Sequence, residues 1–219
     1  MPIAPHESSS TVTGACTFFM PATAGMFDID TRNGLMAGAR HVDSPNQDDR
    51  PPGVIADLIV VHNISLPPGE YGGPWIEALF CNRLPAAHHP YFATIAHLEV
   101  SSHLLIRRDG ALVQFVPFER RAWHAGASTY RGRERCNDFS IGIELEGSDD
   151  EPFEPAQYRS LSRAVAALCS AYPSLSRERM TGHSDIAPGR KTDPGPHFDW
   201  PRLNALLDLE MPASANSAQ

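Results

Sequence analysis

Residues 57–62 read Asp-Leu-Ile-Val-Val-His, a continuous apolar run with three β-branched side chains that ends on a histidine. Such a run, without polar alternation, is typical of a strand buried on both faces of a sheet. A second run, Phe139-Ser-Ile-Gly-Ile-Glu-Leu145, alternates, with isoleucines on one side and Gly142 and Glu144 on the other. The two runs predict strands of one sheet.

The neighbouring segments predict a hairpin and three helices. Residues 102–108 and 111–116 flank Asp109-Gly110, a dipeptide that readily supplies the positive φ angles of a tight turn. Helical spacing and N-terminal prolines predict one long helix and two short ones. The long helix runs from Pro155 to near Pro173, and the short ones begin at Pro74, with Trp75, Leu79 and Phe80 facing inward, and at Pro201, ending near Leu209. We therefore expect an α/β fold, a single domain with a mixed central β-sheet flanked by helices.

The ends of the chain differ in composition from this body. Residues 1–25 are rich in Ser, Thr, Ala and Pro and predict a flexible extension, and residues 212–219 predict a disordered tail. The folded domain is then 26–211. No Lys or Arg precedes Arg32, whereas a secretory signal needs a basic start, so we expect a cytoplasmic protein.

Charge and cysteine usage exclude several classes of protein. The chain has 18 Lys and Arg residues and 26 Asp and Glu residues, so its net charge is −8. An acidic balance argues against a nucleic-acid partner. The four cysteines are far apart, which predicts neither a zinc ribbon nor a disulfide framework. No apolar run approaches the ~20 residues of a membrane span.

Residues able to bind a metal ion occur at the strand ends and in one loop. His62 ends the buried strand, and His183, Lys191 and Asp193 lie in the Gly- and Pro-rich loop 181–196. Two imidazoles and one carboxylate are a sufficient set for hydrolytic zinc, which needs three protein ligands and one open position. Taken singly, a histidine at a strand end is more often structural, and Asp-Pro-Gly is usually a turn. The spacing of these residues alone does not decide between the alternatives.

Four sequence motifs are more specific than the spacing of single residues. They occur in the order found in a known family, which the chain resembles from about Leu35 to about Leu207. The motifs are Val60-Val-His-Asn-Ile-Ser-Leu-Pro-Pro-Gly-Glu70, Arg121-Ala-Trp-His-Ala-Gly126, Gly132-Arg-Glu-Arg-Cys-Asn-Asp-Phe-Ser-Ile-Gly-Ile-Glu-Leu-Glu-Gly147, and Thr181-Gly-His183 through Lys191-Thr-Asp-Pro-Gly-Pro196. Together they resemble the 1,6-anhydro-N-acetylmuramyl-L-alanine amidases (the AmpD family) of the type-2 amidase and peptidoglycan-recognition superfamily.

The resemblance implies a zinc amidase domain over 26–211 and a cytoplasmic role in peptidoglycan recycling. It implies zinc (Zn²⁺) held by His62, His183 and Asp193, with Glu144 as general base and Lys191 as electrophile. The expected substrate is an anhydro-muramyl peptide, cut between the lactoyl group and L-alanine. Glu146 is a rival base, because it lies two residues further along the same strand face.

Substrate contacts are implied for three further residues. By resemblance, Asn63, Trp123 and Arg135 line the groove, with the arginine pairing with a stem-peptide carboxylate and the indole packing on sugar or peptide. The connection between Phe80 and Ala96 is a candidate lid. We expect a monomer.

Two alternatives stay open at this point. A non-catalytic peptidoglycan-binding module could use the same fold, but it would not need Glu144, Lys191 and three ligands together. A secreted autolysin that acts on the intact wall would require export.

Overall fold

The computed structural model describes residues 27–211, so the predicted extension 1–25 and tail 212–219 lie outside the described residues. The strands are β1 (Ile29–Asp30), β2 (Leu35–Met36), β3 (Arg40–His41), β4 (Gln47–Asp49), β5 (Leu58–Ile64), β6 (Leu104–Ile106), β7 (Leu112–Gln114), β8 (Arg120–Ala122), β9 (Thr129–Tyr130), β10 (Arg133–Glu134), β11 (Ser140–Glu146) and β12 (Met180–Gly182). The helices are α1 (Trp75–Phe80), α2 (Pro90–Ile95), α3 (Pro155–Ala171), α4 (His183–Ile186) and α5 (Trp200–Glu210).

Six of these strands form one mixed sheet in the order β12-β5-β11-β6-β7-β3. Every neighbouring pair is parallel except β6 and β7, which are antiparallel. The two strands predicted first, β5 and β11, are paired with each other along their whole length. The predicted α/β fold with a mixed central sheet is therefore confirmed. No helix within residues 27–211 combines the length and apolarity that a membrane span requires.

The two faces of the sheet have different coverings. On one face, Ile141, Ile143 and Leu145 of β11 pack against the apolar sides of α3 and α5. The predicted helical spacing is confirmed there, since Tyr158, Leu161, Val165 and Leu168 are all buried. On the other face, α1 and α2 cover only the β6 and β7 side. On the part of that face formed by β5 and β11, Leu58 and Val60 belong to a small third apolar cluster, and His62 and Glu144 lie beyond it at the carboxyl ends of the strands.

The predicted hairpin forms, but only one residue of its turn has a positive φ. Gly110 has φ +88°, and the Gly110 N–H donates to the Arg107 carbonyl at 2.8 Å. The Asp109 side chain instead accepts from the Ala111 N–H at 2.9 Å. A Cβ at position 110 would lie 3.0 Å from the Ala156 carbonyl oxygen, so the turn requires glycine for packing against α3 as well.

The segment after Phe80 is more ordered than the sequence suggested. It contains α2, in which Pro90 takes the first turn and His89 accepts from the Tyr91 N–H at 3.1 Å. Phe92 of α2 is completely buried. Trp75 was predicted to face inward with Leu79 and Phe80, yet Ile76 takes the buried position and Trp75 is half-buried against the ring of His88. Part of the candidate lid, helix α2, is therefore packed on the core through Phe92.

His103 is a buried support beneath β11. Its Nδ1 accepts from the Gly142 N–H at 3.0 Å, and its Nε2 lies 3.1 Å from the Arg120 carbonyl oxygen. Burial, and then the charge of Arg50, lower the pKa of His103 from 6.5 to about 3. The folded protein therefore keeps this imidazole neutral under conditions in which the unfolded chain protonates it.

This difference predicts a loss of stability in acid. Below pH 6.5 the unfolded state binds a proton that the folded state does not, so the free energy of unfolding falls as pH falls towards 3. Between pH 7 and pH 5 the contribution of His103 is about 2 kcal/mol. Urea unfolding of the metal-free protein should show a smaller decrease over this interval in His103→Asn than in the wild type. Equal decreases in the two proteins would contradict the assignment.

Candidate active site

Three parallel strands, β5, β11 and β12, bring the predicted base Glu144 and the predicted ligands His62 and His183 to one edge of the sheet. The register of β5 and β11 pairs His62 with Glu144, so both side chains leave the same face. In β12, Gly182 pairs with Val61, and His183 follows immediately at the start of α4. The carboxyl ends of parallel strands meet at one edge, where α/β proteins commonly place their sites.

Asp193 reaches the two histidines from the loop that follows α4. The Ser184 N–H donates to the Asp193 carbonyl at 2.9 Å and so ties the loop to the start of α4. The Nδ1 atoms of His62 and His183 lie 3.0 Å apart, and each lies 3.0 Å from Asp193 Oδ2. The three predicted ligands therefore offer three atoms at the corners of a small triangle.

This triangle fits a divalent cation. Tetrahedral zinc ligands at 2.0–2.1 Å from the ion lie about 3.3 Å from one another, close to the observed spacing. Burial would raise the pKa of Asp193, but the imidazoles of His183 and His62 beside its carboxylate outweigh burial and lower that pKa below its usual value. Burial also lowers the pKa of His62 to about 4. A carboxylate and a neutral imidazole are the protonation states that a metal ion requires of its ligands.

Each imidazole is also held at its other nitrogen. His183 Nε2 lies 3.1 Å from the Ala125 carbonyl oxygen, an acceptor, so His183 carries its proton on Nε2 and leaves Nδ1 with a lone pair. Arg190 Nη2 donates to the same carbonyl at 2.6 Å. His62 Nε2 faces His124 Nδ1 at 2.9 Å. Contacts of this kind orient metal-binding histidines.

Glu144 is the buried acid beside the triangle. Its side-chain Oε2 has no hydrogen-bond partner among residues 27–211, although the residue is only 7% exposed. Burial, and then the charge of Asp193, raise the pKa of Glu144 well above its usual value, while Lys191 opposes the shift. A carboxyl without a structural partner and with a raised pKa is typical of a group that exchanges protons during a reaction.

The triangle and Glu144 line one open cavity of about 550 Å³. Lys191 and His124 line it too, together with Asn63. Asn63 uses both amide protons on the protein, donating to Asp149 Oδ1 at 2.6 Å and to the Pro194 carbonyl at 3.0 Å. Its carbonyl oxygen is thereby oriented. Nothing in the sequence pointed to Asp149 in this position.

The other two predicted substrate residues do not line this cavity. Trp123 and Arg135 line a separate depression of about 280 Å³. The indole N–H donates to Asp48 Oδ1 at 3.1 Å, while the Arg135 side chain is 70% exposed and lies 3.3 Å from Asp138. Their predicted contact with substrate stays a prediction.

Glu146, the rival base, has a structural environment. Its Oε1 accepts from Arg107 Nη1 at 2.8 Å and from the Gly72 N–H at 2.7 Å. Glu146 lines a cavity different from that of the triangle. The geometry therefore favours Glu144.

A mixed sheet with this buried acid and this ligand triangle at its carboxyl edge defines a hydrolase with a candidate metal centre. The family of N-acetylmuramoyl-L-alanine amidases matches residues 50–196. The chain belongs to this family, whose members hydrolyse an amide bond.

Individual relatives agree with the family assignment. The chain is 60% identical to 1,6-anhydro-N-acetylmuramyl-L-alanine amidase AmpD of Escherichia coli K12, over 81% of this chain and 96% of that protein. A crystal structure of an AmpD derivative superposes with a TM-score of 0.79 at 60% identity, over 82% of this chain and 98% of the other. The Escherichia coli amidase AmiD, solved with the substrate anhydro-N-acetylmuramic acid-L-Ala-D-γ-Glu-L-Lys, gives a TM-score of 0.52 at 31% identity, over 69% of this chain and 57% of that chain.

Proposed function

We propose that this protein is a zinc-dependent amidase that cuts the bond between the lactoyl group of 1,6-anhydro-N-acetylmuramic acid and L-alanine, in cytoplasmic recycling of muropeptides. The observation that carries the proposal is the buried Glu144 carboxyl, which faces the His62, His183 and Asp193 triangle in an open cavity. The substrate named for the AmpD and AmiD relatives supports the choice of bond. Free thiols at Cys81, Cys136 and Cys169 fit a reducing compartment.

Each catalytic group has one chemical task. Zinc held by the triangle would supply a Lewis acid that lowers the pKa of water towards ~7. Glu144 takes the proton of the attacking water and returns it to the departing amine of L-alanine. The Lys191 ammonium, on the rim of the same cavity, stabilises the negative charge that grows on the carbonyl oxygen. Asn63 presents its oriented carbonyl to an N–H of the peptide.

The role of Lys191 predicts a specific kinetic effect. Because the charge that it stabilises exists only in the transition state, Lys191→Met should lower kcat by about 10² to 10³ and change KM little. Zinc content should be unchanged. Steady-state kinetics of Lys191→Met and Lys191→Arg measure this effect, and the arginine variant should recover part of kcat. A rise in KM with kcat unchanged would show that Lys191 only binds substrate.

The proposed reaction is tested on its substrate. Purified protein should release the stem peptide from anhydro-N-acetylmuramic acid-L-Ala-D-γ-Glu-L-Lys, the substrate bound by the AmiD relative, and mass spectrometry should find the intact anhydro sugar as the second product. Dialysis against a chelator should stop the release. Cleavage elsewhere in the peptide, or release that persists at the same rate after chelation, would exclude the zinc amidase.

A further inference from the structure

We propose that Ser140 and His124 form a hydrogen-bond relay that fixes which nitrogen of His62 carries the proton, and that His124 is thereby a positioning residue for the metal site. The inference rests on the proposed metal site. It concerns side chains outside the predicted ligand and catalytic sets.

The relay runs from the backbone to the ligand triangle through three side chains. Ser140 Oγ donates to the Cys136 carbonyl at 2.5 Å. His124 Nε2 lies 3.1 Å from Ser140 Oγ, and His124 Nδ1 lies 2.9 Å from His62 Nε2. Ser140 is completely buried and His62 is 1% exposed.

The carbonyl at one end sets the direction of every hydrogen bond in the relay. A carbonyl oxygen only accepts, so the single Ser140 hydroxyl proton points to Cys136. Ser140 Oγ must then accept from His124, which places the His124 proton on Nε2 and leaves Nδ1 with a lone pair. His62 must in turn donate from Nε2. Its Nδ1 lone pair therefore points into the triangle.

The relay opposes the other tautomer of His62, in which Nδ1 carries the proton. Asp193 Oδ2 lies 3.0 Å from His62 Nδ1, and a carboxylate there favours a proton on Nδ1. A proton on Nδ1 would occupy the lone pair that a metal ion needs. By accepting from Nε2, His124 keeps Nδ1 available.

Contacts with β11 and with His103 fix the position of the His124 ring. A Cβ at Gly142 would lie 2.5 Å from His124 Cγ, so glycine at this position in β11 makes room for the imidazole. The ring of His103 lies edge-on at 5.9 Å, and its own Nδ1 is held by the Gly142 N–H. The position of His124 is thus fixed from two sides.

The test uses two side chains of nearly equal shape. Asn at position 124 keeps an acceptor at the place of Nδ1, whereas Leu does not, and Ser140→Ala removes the other end of the relay. Nitrogen-15 NMR of the metal-free proteins reports the His62 tautomer, and competition with a chelating indicator reports zinc affinity. Thermal unfolding of the metal-free forms checks that each variant is folded.

We expect His62 to carry its proton on Nε2 in the wild type. His124→Asn keeps the acceptor but lacks the bond to Ser140, so its zinc affinity should lie between those of the wild type and His124→Leu. In His124→Leu and Ser140→Ala the proton should move to Nδ1, and zinc should bind about 10- to 100-fold more weakly. Equal tautomers and equal affinities in all four proteins would overturn the relay. If the wild type bound no zinc, the proposed metal site would fail, and the tautomer measurement would still decide on the relay.

Discussion

Replacing Glu144 by glutamine is expected to lower kcat by about 10² to 10⁴, the usual contribution of a positioned general acid and base. Glutamine keeps the shape of the side chain but cannot accept the proton of the attacking water. The three ligand atoms are on other residues, so bound zinc should stay at one ion per chain. Steady-state kinetics together with metal analysis of Glu144→Gln measure both effects.

The same substitution should not weaken the fold. The Glu144 carboxyl is buried and its Oε2 lacks a partner among residues 27–211, so an ionised side chain there opposes folding. A neutral amide removes that penalty. The melting temperature of metal-free Glu144→Gln should equal or exceed that of the wild type.

Glu146 provides the matched control on the same strand. Glu146→Gln weakens the buried pair with Arg107, which keeps its ion pair with Glu77 at 2.8 Å, so the substitution should cost about 2 kcal/mol of stability. Turnover by the folded protein should stay within a few-fold of the wild type. If Glu146→Gln abolished turnover and Glu144→Gln did not, the assignment of the base would be wrong.

Loss of one ligand should have the second large effect. Asp193→Ala leaves two imidazoles, and zinc affinity should fall by more than the about 10- to 100-fold typical of changes behind the ligands. Activity at trace zinc should be lost with the metal. Isothermal titration of the metal-free variant with zinc, beside a turnover assay, measures this.

Two further variants show whether the loss of zinc is specific to the ligands: one removes a second ligand and the other removes a distant histidine. His62→Ala removes a different ligand and should also cause loss of zinc. His97→Ala, which removes an exposed histidine beyond α2, should bind zinc as the wild type does. Retention of zinc by both ligand variants would contradict the predicted metal site.

Much of the fold could be predicted because its central strands are nearly unambiguous in sequence. The apolar run at 57–62 and the alternation at 139–145 predicted β5 and β11, two neighbouring strands in the interior of the sheet. Helix α3 has both a proline at its start and regular apolar spacing. In these segments local pattern and tertiary environment favour the same structure.

The segment after Phe80 was harder to predict for a physical reason. Helix α2 is only six residues long, and its sequence, Pro-Tyr-Phe-Ala-Thr-Ile, contains one buried side chain, Phe92. A single apolar anchor gives no helical period. Phe92 packs against the ring of Trp75 in α1 and belongs to the buried cluster that contains Leu105 and Val113, and such contacts are not visible in the sequence.

The candidate site also contains residues whose positions have a local sequence pattern and residues whose positions have none. The positions of His62 and Glu144 in the sheet could be predicted from strong strand patterns, whereas His183 and Asp193 are joined by a loop whose course no periodicity describes. The roles of all four residues came from the family resemblance. The contact between His124 and His62 depends on the space that Gly142 leaves on a neighbouring strand. Asp149 reaches Asn63 across 86 residues of sequence, with no local signal.

In the proposed reaction, hydrolysis depends on one metal ion bound by His62, His183 and Asp193. The most direct test of this dependence is a titration of chelator-stripped protein with zinc, in which bound metal and release of peptide from the anhydro-muramyl substrate are followed together. We predict that both rise in parallel and reach a plateau at one zinc ion per chain. Full activity in the stripped protein, or zinc binding that restores no activity, would contradict the proposed dependence on zinc.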